Sequence, residues 1–188
     1  MDAPRFLGNH FLIAIPGLAD PNFSRSVSLI CQHSSEGAMG LMLNRVSDYL
    51  LGDVLEQMNI HTDLAALAAE PVLIGGPVHP ERGFVLHEPG EQTWDSTFNV
   101  SDQLCLTTSR DILAAMARGE GPARALVTLG FAGWSEGQLE SELQDNAWLT
   151  VAADRSILFG TPIDERWSAS ARLMGVDLNL LTDYSGHA

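Results

Sequence analysis

Lysine is absent from this chain. All ten basic residues are arginine, set against 24 acids, for a net charge of −14. The arginines are scattered, and the nearest neighbours are six residues apart. Phosphate backbones are bound mainly through clustered cations. No direct nucleic-acid contact is therefore expected, and no binding to an anionic membrane. Aromatics are sparse at 7%, which leaves packing to Leu, Val, Ile, Ala and Met. No run of ~18 apolar residues exists, so no membrane-spanning helix is expected. The N-terminus lacks the basic-then-apolar pattern of a secretory signal. Cys31 and Cys105 are the two cysteines. Secreted disulfide frameworks use many cysteines at close spacing, so these two read as reduced thiols of a cytoplasmic protein.

What is present suits a single domain over residues 1–188. The length allows one real core, 45% of residues are hydrophobic, and no linker or repeat interrupts the chain. Residues 10–16 read as a buried strand stopped by Pro16-Gly17. Residues 26–33 alternate, placing Val27, Leu29, Cys31 and His33 on one face. The Ser34–Gly37 connection leads to a second strand, Ala38–Arg45, and so short a loop requires antiparallel pairing. A helix is expected at Ser47–Met58 and a short one at Leu64–Ala69. Strands are expected at 71–78, 82–87 and Gln103–Thr107. Thr108–Asp111 reads as a capping box opening a helix to Arg118. A strand follows at Ala125–Phe131, then a helix capped at Ser135–Gln138 and a strand at Trp148–Ala152. Thr161-Pro162 reads as an N-cap with proline at the first helical position. The early hairpin excludes an all-parallel sheet, giving an α+β fold with a mixed sheet.

Motif by motif, the chemistry is thin. The glycines of Gly130–Gly137 lack the Lys-Ser/Thr of a phosphate loop and the spacing of a dinucleotide fingerprint. The six histidines form no paired ligand motif, so neither a metal nor a cofactor is expected. Cys31 and His33 share a predicted strand face, which raises a thiol–imidazole dyad with Asn44 as the candidate orienting group. An apolar setting beside Val27 and Leu29 argues instead for a buried, inert thiol. Residues 171–181 have the spacing of a helix-turn-helix, but Asp177 and Asp183 fall where DNA readers carry other side chains.

Charge placement singles out the first hairpin. Residues 1–45 carry three arginines and three acids, so the whole acidic excess lies downstream. Arg25 and Asn44-Arg45 fall at the same end of the predicted hairpin. Together with His33, Arg82 and His87 they form a candidate set for an anionic ligand. The plainer expectation is that Arg25 and Arg45 pair with Asp20, Glu36 or other acids.

Several long stretches carry a resemblance. They are Phe11–Pro16, Asp20-Pro21-x-Phe23-x-Arg25-Ser26-Val27 and His33 followed by Glu36–Leu41-x-x-Asn44-Arg45. Downstream come Gly75–Val78, Arg82–His87, Gly130–Trp134-x-x-Gly137–Glu140-x-Glu142-Leu143, and Asn146-x-Trp148. In this order they resemble the bacterial YqgE/AlgH family. The resemblance implies a largely antiparallel, bifurcated sheet closed into a pseudo-barrel with flanking helices. It also implies a cytosolic protein labelled a transcriptional regulator and tied to alginate production. Two positions depart from the family's usual pattern: Val46 stands where Pro follows Asn-Arg, and Gln32 where Glu precedes the His. The second removes a possible acid partner for His33. The expected function is regulation without DNA contact, through a protein partner or a small anionic ligand. The alternatives are a small-molecule hydrolase or transferase using the hairpin's polar residues, and a direct DNA-binding regulator.

Overall fold

Strand β9 (Ala125–Trp134) is the trunk of the molecule in the computed structural model, which describes residues 6–178 and Leu180. One edge of β9 pairs along its length with β6 (Val78–His87). The other edge divides. Its far end pairs antiparallel with β3 (Gly37–Met42), and its middle pairs parallel with β5 (Pro71–Ile74). The fork sits at Gly75-Gly76 and Gly130. A Cβ on Gly75 would run into the Gly130 carbonyl oxygen, and Gly130 itself has φ +76°. Only glycine accepts both conditions without strain.

Beyond the fork, the sheet runs through β3 to β2 (Val27–Ser34), β1 (His10–Ala14) and β10 (Trp148–Ala152). In the other direction it runs through β6 to β8 (Leu104–Thr107) and β7 (Thr97–Ser101). Among the described residues, strand β4 (Val46–Leu50) pairs with β5 alone. Every pairing except β5–β9 is antiparallel, and the ten strands of the described residues curl into a half-barrel.

Period-2 alternation lets both faces bury apolar side chains. Ile13, Leu29 and Leu41 enter the main core with Phe84, Leu86 and Trp167, while Leu12 and Ile30 enter a second core with Leu7, Trp134, Leu139 and Trp148. A third core packs α1 (Leu51–Gln57) and α3 (Arg110–Ala117) on the sheet through Leu55, Val72, Val85, Ile112 and Val127. Each fully buried Leu or Ile contributes about 1.5–3 kcal/mol, so three small cores serve a chain poor in aromatics. The remaining helices are α2 (Ala65–Ala68), α4 (Gln138–Gln144), α5 (Arg155–Gly160) and α6 (Arg166–Arg172).

Several elements differ from the sequence expectation. The helix expected from Ser47 begins at Leu51, because residues 46–50 form β4. The Asp53 carboxylate accepts the Leu50 N–H and fixes the helix start there. Ser109, not Thr108, is the N-cap of α3, and its hydroxyl donates to the Asp111 carboxylate. Thr161 closes α5 rather than opening a helix, and a single 3-10 turn, Ile163–Glu165, separates it from α6. In the helix-turn-helix reading, α6 buries Trp167 and Ala171 in the domain. Most of the second helix of that reading lies outside the described residues.

Candidate functional site

The six hairpin-centred candidates fall at separate places. Arg25, Asn44 and Arg45 do come together where the first hairpin opens. The Asn44 side-chain amide donates to the Arg25 carbonyl at 2.9 Å and its oxygen accepts the Val27 N–H at 3.1 Å. The Arg45 guanidinium donates to the carbonyls of Pro21 (3.0 Å) and Ser24 (2.8 Å). The Asp20–Arg25 turn is thus laced to the end of β3. The Arg25 guanidinium lies 4.7 Å from the centre of the Trp167 ring. Neither arginine forms an ion pair with Asp20 or Glu36, so the carboxylate pairing expected from sequence is replaced by carbonyls and an aromatic face.

One residue of this cluster was not visible in sequence. Arg166 is 5% exposed, and its guanidinium donates to the carbonyls of Leu43 (2.7 Å) and Thr161 (3.1 Å). Burial lowers its pKa. Its neighbour Trp167 donates its indole N–H to the Ala14 carbonyl at 2.9 Å.

His33 stands at the opposite end of the hairpin. Its side chain is 1% exposed, with Nε2 2.8 Å from the Glu140 carboxylate. Its Nδ1 accepts the Leu7 N–H at 2.9 Å. An Nδ1 that accepts places the imidazole proton on Nε2, so both ring nitrogens are occupied. The acid partner missing at position 32 is therefore supplied by α4. Cys31 does not share the His33 side of the sheet. The β2–β3 register shifts between Ile30 and Gln32, and this bulge flips the alternation. Cys31 stays in the main core, while His33 joins Leu7 and Glu140 on the side of Ile30. Burial pushes the Cys31 thiol up to about 12. The dyad is corrected on both geometry and ionisation.

Arg82 and His87 lie on β6, away from the hairpin. Arg82 sits 5.6 Å from the centre of the Phe84 ring. His87 is buried; its Nε2 accepts the Thr107 hydroxyl at 2.7 Å, and its Nδ1–H donates to the Glu88 carbonyl at 2.9 Å.

An apolar concavity lies elsewhere again, between α1, α3 and β6, with a volume of about 370 Å³. Its apolar surface comes from Val54 of α1 and Met58 just after it, Phe84 and Val85 of β6, Leu113 of α3, and Val127 of β9. Tyr49, Gln57, Glu81 and Ser109 line it as well. Arg110, also on the lining, donates to the Met58 carbonyl at 3.0 Å and straps the end of α1 to the start of α3. Tyr49 and Leu50 of β4 are 45% and 47% exposed. No signal in the sequence brought these elements together, because the groove forms only where three distant segments meet. Among the described residues no group of three or more His, Cys, Asp or Glu is placed to hold a metal ion, and no helix is long and apolar enough to cross a membrane.

Comparison with known proteins bears on the whole chain. A UPF0301 protein of Stenotrophomonas maltophilia is 59% identical over 98% of this chain and 97% of its own length. One of Methylococcus capsulatus is 55% identical over 97% of this chain and 96% of its own. The solution structure of the AlgH protein from Pseudomonas aeruginosa superposes with a TM-score of 0.80 at 48% identity, covering 97% of this chain and 96% of that one. The crystal structure of protein DIP2367 from Corynebacterium diphtheriae shares the fold at 20% identity, with a TM-score of 0.76 over 97% of this chain and 94% of that one. The AlgH-like family model matches residues 11–179, and the chain belongs to the AlgH-like family.

Proposed function

We propose that the chain is a transcriptional regulator that acts without touching DNA, by docking a protein partner at the groove between α1, α3 and β6. The groove carries this reading. Its volume of about 370 Å³ falls in the ~300–1,000 Å³ range of binding pockets, with a mostly apolar lining and a few polar groups. The exposed apolar surface extends beyond it. Tyr49 on its lining is 45% exposed, and Val46 and Leu50 on the same strand and Ile74 on the adjoining β5 are 53%, 47% and 38% exposed; apolar side chains left exposed around a groove support an interaction site. Exposed apolar side chains outside the groove favour a protein over a small molecule. The net charge of −14 opposes DNA. The enzyme reading of the hairpin loses support because His33, Asn44 and Arg45 are engaged in intramolecular bonds.

The test places a photo-reactive phenylalanine analogue at Tyr49 in cells. The reading expects one discrete protein adduct that disappears when Gln57→Trp fills the groove and is not formed from the same analogue at Glu91. Adducts indifferent to the filled groove, or nanomolar sequence-specific binding of the purified protein to duplex DNA, would overturn it.

A further inference from the structure

The described residues include three arginines at the mouth of the first hairpin that form no ion pair, in a protein of net charge −14. Arg25, Arg45 and Arg166 come from distant positions, yet all are tied to residues 21–25 and 43–45. Arg45 holds the Pro21 and Ser24 carbonyls, Arg166 holds the Leu43 carbonyl, and Arg25 covers the ring of Trp167, the residue after Arg166. Arg82, Arg110 and Arg172 also form no ion pair among the described residues, but all three are exposed, whereas Arg166 is buried. Here even Glu165, next in sequence to Arg166, makes no ion pair with it.

Burying a charge without a counter-charge is costly, since carbonyl dipoles only partly replace water. Arg166 is 5% exposed. A second orphan lies beside the cluster. The hydroxyl of Ser26, next to Arg25, is buried and has no hydrogen-bond partner among the described residues. Donors remain available. A guanidinium has five N–H groups. Arg45 uses Nη1 and Nη2 on two carbonyls, Arg166 uses Nε and Nη1, and the Arg25 guanidinium makes no hydrogen bond among the described residues.

We propose that the mouth of the first hairpin is an anion-binding site in which Arg25, Arg45 and Arg166 receive a phosphate or carboxylate group of a small ligand. The site is separate from the α1–α3 groove and does not depend on it. Guanidiniums meet such groups through paired N–H donors. The bound anion supplies the counter-charge that the fold omits, so occupancy stabilises the folded state. Exposed Arg25 admits the ligand, and buried Arg166 stays fixed by its carbonyls.

The test is thermal unfolding of the whole protein with inorganic phosphate, succinate and a nucleoside monophosphate at matched ionic strength. These arms separate a free anion from a phosphoryl or carboxyl group on a larger body. Phosphate also stabilises proteins in general by exclusion from their surface, so the comparison with variants decides. Arg25 has φ 56°, a conformation that asparagine tolerates, so Arg25→Asn removes the guanidinium without straining the turn. Arg82→Gln serves as the control on β6. Expected is a saturable rise in Tm, about 3–6 °C at tenfold excess over Kd, lost in Arg25→Asn and kept in Arg82→Gln. Amide resonances near residues 24–26, 44–45 and 166 move with the same Kd. A rise shared equally by all three proteins, no saturable rise with any of the anions, or resonance shifts confined to another region would each overturn the proposal.

Discussion

Removing the carboxylate of Glu142 should cost this protein about 2–4 kcal/mol. Its Oε1 accepts the indole N–H groups of both Trp134 (3.1 Å) and Trp148 (2.9 Å), and its Oε2 accepts from the Gln138 amide at 2.9 Å. The two indoles are 5% and 6% exposed and meet edge-to-face at 6.3 Å, with Phe23 packed against both. A buried donor left unpartnered loses about 1–3 kcal/mol. Two donors double that, reduced by water entering from the half-buried side of Glu142. Glu142→Ala therefore carries the full loss. Glu142→Gln keeps a carbonyl facing both indoles and forfeits only the exposed bond from the Gln138 amide, whose oxygen is held by the Ser135 N–H, so it should lose no more than about 1 kcal/mol by the same account. Urea unfolding followed by tryptophan emission measures both, with stability from linear extrapolation. The emission of the folded Ala variant should also shift to the red. An Ala variant within about 0.5 kcal/mol of wild type, below the ordinary worth of one hydrogen bond, would refute the reasoning. So would a Gln variant as weak as Ala.

Two further predictions concern ionisation. With its thiol pushed up to about 12, Cys31 is thiolate in only ~10⁻⁴ of molecules at pH 8, so a soluble thiol reagent should label it only as fast as the protein unfolds; rapid native labelling of Cys31 would contradict its placement. Burial holds the His87 pKa below its ordinary 6.5, against the opposing pull of the Glu88 carbonyl. Because the unfolded chain takes up that proton first, the stability from His87 is complete above about 6.5 and declines as the pH drops below it. An NMR titration should find the Nδ1-protonated tautomer with a depressed pKa; a pKa at or above 6.5 would count against it.

Local pattern was readable where local forces decide. Trp148–Ala152 forms the strand its β-branched and apolar run implies, and the first hairpin pairs across Ser34–Gly37 as its loop length requires. What escaped was set by partners far along the chain. The bulge at Cys31 is invisible in alternation, yet it decides which core receives His33. The Glu140 that holds His33 is 107 residues away, and the Leu43 carbonyl that holds Arg166 is 123 residues away. Strand β7 escaped because its first three residues are exposed and lack an apolar face. Helix α5 did leave a trace, since the Asp154 carboxylate caps the Ile157 N–H, but its six residues are too few for periodicity to show. Of the candidate site, the Arg25–Asn44–Arg45 grouping followed from antiparallel geometry alone, whereas Arg82 and His87 required knowing that β6 pairs with β8 and β9.

If regulation passes through the α1–α3 groove and not through DNA, as proposed, filling the groove should abolish it. Transcript profiling tests it in a strain lacking the chromosomal copy, complemented with wild type or with Gln57→Trp. Gln57 is an exposed lining residue, so the variant should fold with unchanged Tm. Wild type should restore the transcript pattern, and the filled-groove variant, at equal abundance, should not. Full restoration by Gln57→Trp would contradict it.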